Sequence, residues 1–316
     1  MTDSVPDIAI VFGGTGFVGR HIVTALRDNG YRVITVSSRA ATEADHSSLD
    51  LDTEDARPLT ALLRHHHPTL VVNAAGSYWG LDEPQLYRSF VTATATILTA
   101  LAALPDQRPR YVHLGSVMEY GPLPPAGRVD ESVPTEPESP YGRTKLAATR
   151  LVQAARARGA VDGIVLRATN SIGPGVHTGS LIGKVGSALA ENRTGRARIE
   201  LSPLAAYRDY IDVRDLADAV LAAARSQTTA DVVNIGRGQA FSVRELVDRL
   251  VAISEVPADI IESPAAPTAP GTSSIWLEVA TETAERTLGW QVTRTIDQAL
   301  HDYWRTLSRR PGSVAR

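Results

Sequence analysis

This chain of 316 residues predicts an α/β fold, a doubly wound parallel sheet with a smaller C-terminal part, and three observations predict it. The apolar run Ile8-Ala-Ile-Val-Phe12 passes straight into Gly13-Gly-Thr15-Gly16-Phe17-Val18-Gly19. A helical pattern carrying Ile22, Val23, Ala25 and Leu26 follows at once, so strand, glycine turn and helix stand in sequence. Further strand-like runs recur at 31–36, 70–73, 110–114 and 161–166, with a long helical stretch from Glu83 to Leu104 among them.

Composition narrows the class. Hydrophobic residues at 43% and charged residues at 21% fit an ordinary globular protein with ample core. A formal net charge of −3 argues against a nucleic-acid groove or a polybasic membrane surface. There are no cysteines, which excludes disulfides and thiolate zinc sites. No apolar run approaches a membrane span, and Met-Thr-Asp-Ser-Val-Pro-Asp does not read as a signal peptide, so a soluble cytoplasmic protein is expected.

The first glycine of the loop makes a tight turn, the second admits a pyrophosphate to the backbone, and the third lets helix and strand pack closely. The helix N-terminus favours the anion. A dinucleotide is therefore expected on Gly13, Thr15, Gly16, Phe17, Val18 and Gly19. The second strand ends in Ser37-Ser38-Arg39. An NAD site usually offers an acid there; hydroxyls and a guanidinium suit a 2′-phosphate, so NADP(H) is favoured, with Arg20 as a second phosphate contact. Asp50 and Leu51 are candidates for the adenine, and Ala74-Ala75-Gly76 leaves the 70–73 strand as small residues beside the cofactor.

His65-His66-His67 invites a metal reading, but adjacent imidazoles on a helix point apart and cannot share one ion, so no metal is expected. Arg110-Tyr-Val-His-Leu114 leads into Gly115-Ser116-Val117-Met118-Glu119-Tyr120-Gly121, at the strand end where open α/β sheets bind ligands. Ser116 is the candidate for holding a substrate carbonyl. Downstream, Tyr141 and Lys145 stand four apart at the start of an Ala/Leu-rich run, hence one turn apart on one helix face. The chain has only two lysines, Lys145 and Lys184, so an ammonium at this point reads as chosen over a guanidinium. Beside an ammonium a phenol gains a stabilised phenolate, and its pKa is expected to fall from about 10 towards neutrality. Tyr141 then becomes a candidate acid/base.

Beyond Gly173-Pro-Gly175 the chain leaves the first domain. The expected division is 1–175 with 209–240 returning to it, against 176–208 and 241–316. Helices are expected at 182–190, from Asp215 and at 243–253, strands at 207–213 and 232–235, and two short helices around Leu288-Gly-Trp290.

Together these motifs resemble the extended short-chain dehydrogenases/reductases, the group of nucleotide-sugar epimerases, dehydratases and reductases, over almost the whole chain. The residues that carry the resemblance are Gly13-x-x-Gly16-x-x-Gly19, Ser116, Tyr141-x-x-x-Lys145, Leu166-Arg-x-x-Asn170-x-x-Gly173-Pro, Arg208-Asp-Tyr-Ile-x-Val and the closing Leu-Gly-Trp. The resemblance implies a Rossmann domain with a small substrate domain and a homodimer. It also implies that Asn170 and Arg208 lie near a substrate pyrophosphate, and that Lys145 also reaches the nicotinamide ribose. The family's 4,6-dehydratases carry Asp-Glu after the serine, where this chain has Val117-Met118, candidate substrate contacts. Gly115-Ser-x-x-Glu-Tyr-Gly121 is instead similar to reductases of nucleotide-linked 4-keto-6-deoxyhexoses.

The chain departs from the family pattern at Phe90, where many members have Asn, at Ala280, and in 273–278, which lacks an Arg. Those departures point to an unusual nucleotide pocket or a non-standard substrate. NADPH-dependent ketoreduction is the leading expectation, an epimerase with retained cofactor the alternative, and a dinucleotide sensor without chemistry the third. Scarce Lys with abundant Arg and Ala hints at a GC-rich bacterial genome and a secondary-metabolite deoxysugar, as in antibiotic biosynthesis.

Overall fold

Ile8–Phe12 (β1) is apolar along its length and buried from Ala9 onward, as a central parallel strand must be. The structure, a computed structural model, describes residues 6–38, 41–42, 45–104, 108–122, 127–263 and 276–308. After β1 come Phe17–Asp28 (α1), Arg32–Ser37 (β2), His46–Ser48 (β3), Arg57–His66 (α2), Leu70–Asn73 (β4), Glu83–Tyr87 (α3) and Ala93–Ala102 (α4). Arg110–Ser116 (β5), Arg128–Val129 (β6), Pro140–Ala157 (α5), Asp162–Ala168 (β7), Asn170–Ile172 (β8), Leu181–Glu191 (α6) and Ala197–Leu201 (β9) follow. The remainder is Tyr207–Asp212 (β10), Val213–Arg225 (α7), Val232–Ile235 (β11), Ala240–Ser242 (β12), Val243–Ser254 (α8), Ala258–Glu262 (β13), Trp276–Val279 (β14), Glu282–Leu288 (α9) and Ile296–Ser308 (α10).

Seven strands form one sheet in the order β11-β7-β5-β4-β1-β2-β3, and every pairing in it is parallel. Strand order reverses between β1 and β4, which opens a crevice at their carboxyl ends. One face of the sheet buries Val11, Ile22, Leu26 and Val220 against α1 and α7; the other buries Phe12, Leu63, Ile97 and Val152 against α2, α4 and α5. The doubly wound Rossmann fold expected from the sequence is what the chain adopts. A third core, with Val185, Leu246, Leu250 and Tyr303, joins α6, α8 and α10. Beside it lies a sheet in which β10 sits between β12 and β14, β6 flanks β14, and β8 also pairs with β10.

One expected element differs. The single helix expected over 83–104 is α3, a π turn at Arg88–Thr92, and α4. A π turn inserts a residue into the helical register. Phe90 lies in that turn, and its ring occupies the space where a side chain on Gly76 would stand. His65 and His66 close α2 with their rings edge to face at 4.7 Å, and His67 leaves the helix in the left-handed region at φ 49°. Among the described residues no helix is long and apolar enough to cross a membrane.

Candidate active site

The crevice is floored by the turn after β1. Gly13 turns at φ +74°, and a Cβ there would stand 2.5 Å from the Ala74 carbonyl oxygen. A Cβ on Gly19 would fall on the Gly13 carbonyl, so both glycines are required by close backbone approach. α1 begins at Phe17 behind Gly16 with no side-chain cap and no acid in its first turn. Its free N–H groups face outward with Thr15 and Gly16 exposed, a cradle that fits a pyrophosphate. Ala74, Ala75 and Gly76 leave β4 alongside. Ser38 is exposed at the end of β2, and Arg39 lies outside the described residues. Asp50 accepts from the Asp52 N–H at 2.9 Å and shapes its own turn, while Leu51 is buried in the core beneath β2.

β5 delivers Ser116 to the same edge of the sheet. Ser116 caps a short 3-10 turn, Val117–Glu119, its hydroxyl accepting from the Met118 N–H at 3.2 Å. α5 starts behind Ser139, which accepts from the Gly142 N–H at 3.0 Å, with Pro140 in the first turn. Tyr141 is thereby fixed in that turn with Lys145 one turn on. The Ser116 hydroxyl stands near enough to the Tyr141 phenol to favour its ionised form. Lys145 Nζ donates to the Leu114 carbonyl and lies 4.8 Å from the Phe90 ring centroid. The structure brings the three residues together.

Their electrostatics differ from expectation. Burial pushes the Tyr141 phenol up to about 12; the Ser116 hydroxyl opposes this and the Glu119 charge adds to it. Burial pulls Lys145 down to about 8, with Glu119 opposing. The expected fall of the phenol towards neutrality is corrected here: the ammonium is directed at the Leu114 carbonyl and the Phe90 face, and desolvation of the phenolate outweighs it. At neutral pH Tyr141 carries its proton.

Aromatic rings wall the site. Tyr78 packs on Tyr141 at 4.9 Å and Phe90 meets it edge-on at 5.5 Å. Tyr78 continues to Trp79 at 4.2 Å, and Trp79 stacks on His177 at 4.8 Å. Sequence reading expects the pocket to be formed near 77–81, 117–125 and 176–208 but does not pair these rings, because Tyr78, Phe90, Tyr141 and His177 are far apart in the chain and share no spacing.

Behind Ser116 lies a buried polar network it also missed. Glu119 is fully buried and accepts from the Ser116 N–H at 2.8 Å, the Thr149 hydroxyl at 3.0 Å and Arg167 Nε at 2.8 Å. Arg167 also donates to the Tyr120 hydroxyl at 3.1 Å, which donates to Asn234 at 2.8 Å. A glutamate in the strand-end turn between Met118 and Tyr120, and the Arg of Leu166-Arg167, were the signals available, with nothing in their spacing to pair them. Val117 is buried with Tyr120, Val129, Leu277 and Val279 in a small cluster, whereas Met118 is half-buried. Asn170 sits on β8 opposite Tyr210, two residues along β10 from the buried Arg208. Arg208 donates to the Tyr207 carbonyl at 2.9 Å, and burial pulls its pKa down. Of the stretch lacking an expected Arg, only Trp276–Glu278 lies within the described residues.

A sequence profile of the NAD dependent epimerase/dehydratase family matches residues 9–236. The chain belongs to that family. It is 38% identical over 313 residues, 98% of each chain, to the dTDP-6-deoxy-L-talose 4-dehydrogenase (NAD(P)(+)) of Kitasatospora kifunensis. It is 28% identical to the UDP-glucose 4-epimerase of Yersinia pestis, over 96% of this chain and 98% of that one. The solved structure of RMD from Pseudomonas aeruginosa complexed with NADPH superposes with a TM-score of 0.83 at 23% identity, covering 97% of this chain and 99% of that chain, which shows the shared fold. The extended short-chain dehydrogenase/reductase resemblance is thus shown, and with it an enzyme class that works with a nicotinamide dinucleotide.

Proposed function

We propose that this enzyme reduces a nucleotide-activated 4-keto-6-deoxyhexose to the hydroxy sugar with NADPH. The observation that carries this reading is the Tyr141 phenol, set beside Ser116 and kept in its protonated form by burial. Reduction of a ketone needs a proton donor at the oxygen, and a phenol held above neutrality is one. When bound on the glycine cradle, NADPH supplies the hydride that goes to the keto carbon. Ser116 holds the carbonyl oxygen, Tyr141 gives it its proton, and Lys145 supplies a positive charge one turn away. Val117 and Met118 offer no acid to drive elimination of water. The 4-dehydrogenase similarity agrees, since oxidation of a C4 hydroxyl is the same chemistry in reverse.

The exposed Ser38, with Arg39 beside it in sequence, supports NADPH over NADH. Asn170 and Arg208, neighbours in the second sheet, are the residues we assign to the substrate diphosphate. In the domain division we favour, 1–175 with 209–240 binds the dinucleotide, while 176–208 with 241–316 binds the sugar nucleotide. A cytoplasmic homodimer completes the reading. The similarity to a 4-epimerase favours one alternative, an enzyme that oxidises and re-reduces its sugar on a retained cofactor.

The test follows NADPH absorbance, with NADH as control, on mixing with nucleotide-linked 4-keto-6-deoxyglucose, and reads the sugar by NMR. Stoichiometric loss of NADPH with a new hydroxyl at C4 is expected. A changed sugar with no net NADPH loss would establish the epimerase instead.

A further inference from the structure

Among the described residues, Glu119 is the carboxylate that bears on Ser116, Tyr141 and Lys145 together, and it is fully buried. Its Oε1 accepts from the Ser116 backbone N–H at 2.8 Å and from Thr149 of α5 at 3.0 Å, while Oε2 takes the Arg167 Nε of β7 at 2.8 Å. A Cβ on Gly115 would stand 2.8 Å from Oε1, so the strand end is shaped to admit this carboxylate. One side chain therefore ties the turn that carries Ser116 to the helix that carries Tyr141 and Lys145.

We propose that Glu119 is a positioning residue for Ser116, Tyr141 and Lys145: its carboxylate locks the Ser116 turn against α5 and places a fixed negative charge behind the tyrosine and lysine. This rests on the assignment of those three residues to catalysis, but not on the identity of the sugar. A charge in a dry site acts strongly on its neighbours. Glu119 favours the protonated form of both Tyr141 and Lys145, the forms a reductase needs. The other ionisable groups facing this cluster are Arg167 of β7, Tyr120 beside Glu119 with Glu131 near it, His113 of β5 near Lys145, and Tyr78 against Tyr141. Neither Arg167 nor His113 reaches both catalytic groups.

Two lysines in the whole chain make a direct test available. Protein labelled with 13Cε-lysine gives two titrating resonances, assigned by Lys184→Arg. In Glu119→Gln the Lys145 midpoint should fall by about one unit, the low end of what a nearby opposite charge produces, while Lys184 stays put. A folded Glu119→Gln with the Lys145 midpoint unmoved, or with both lysines moving together, would overturn the proposal. Removing one partner of a buried pair can prevent folding, so Glu119→Gln/Arg167→Met, which removes both charges and keeps the volume, is the folded fallback: loss of the Arg167 cation offsets part of the effect, a smaller fall at Lys145 is expected, and an unmoved or raised midpoint would overturn the proposal. The measurement uses no substrate. A failed ketoreductase assay with a shifted Lys145 would indict the sugar assignment alone, and an unshifted Lys145 in an active reductase would indict Glu119 alone.

Discussion

The turns that leave β1 and β5 start from the same strand-end geometry and use it in opposite ways. After β1, Gly13 and Gly19 keep side chains away from the close backbone approaches, and the uncapped start of α1 leaves backbone N–H groups without helical partners. After β5, the turn is filled with side chains, and a fully buried Glu119 pairs with a buried Arg167 directly behind Ser116. The first site is built by deletion, and at Gly13 and Gly19 it has no room for an added Cβ. The second is built from charges that would be costly alone and are supported only by one another.

The largest effect should separate chemistry from architecture. Tyr141→Phe removes the proton donor and nothing from the glycine cradle, so turnover should fall by about 10² to 10⁴ while dinucleotide binding stays near normal. Parallel steady-state kinetics and a dinucleotide titration check both halves.

Gly19→Ala attacks the other turn. A methyl group on the Gly13 carbonyl forces the loop apart, and overpacking of this kind costs about 1–3 kcal/mol. Dinucleotide affinity should drop at least tenfold, read by titration and by a thermal melt, with the Tyr141 environment intact.

Lys145→Met sharpens the claim that the β5 side stores cost. Unfolded, Lys145 titrates near 10.5; folded, near 8. Below 8 both states hold the proton, and the folded state bears the full penalty of a buried ammonium. Between 8 and 10.5 only the unfolded state is protonated, so stability rises with pH across that window. Lys145→Met should raise stability by about 1–3 kcal/mol at neutral pH and lower turnover sharply. A denaturant melt at neutral pH and again above 10.5, where the gain should vanish, checks the sign.

The smallest effect concerns the cofactor's far end. Arg39→Ala should raise the KM for NADPH roughly tenfold over that for NADH, the size of one charge-assisted hydrogen bond.

The contrast between the turns also explains what could be read from the chain. The glycine cradle is local: three glycines, their strand and their helix lie within 21 residues of each other, and spacing alone reveals them. Ser116, Tyr141 and Lys145 were legible for the same reason, being fixed by one strand end and one helix start. Phe90 stood out only as a departure, and Glu119 and Arg167 only as members of motifs; their contacts and those of Tyr78 were not legible, because they depend on partners brought from β4, β7 and a π turn that no periodicity announces. The Tyr141 pKa went astray by the same route. Adjacent residues suggested a lowered phenol, whereas burial by distant rings raised it.

The pH dependence of NADPH-driven reduction, measured for the wild type across neutral and alkaline pH, tests the central claim most directly. With Tyr141 protonated and Lys145 charged, the rate should hold through neutrality and fall only as pH passes about 8, where Lys145 gives up its proton. A rate that instead rises through that range, as an ionised phenol acting as base would give, would contradict it.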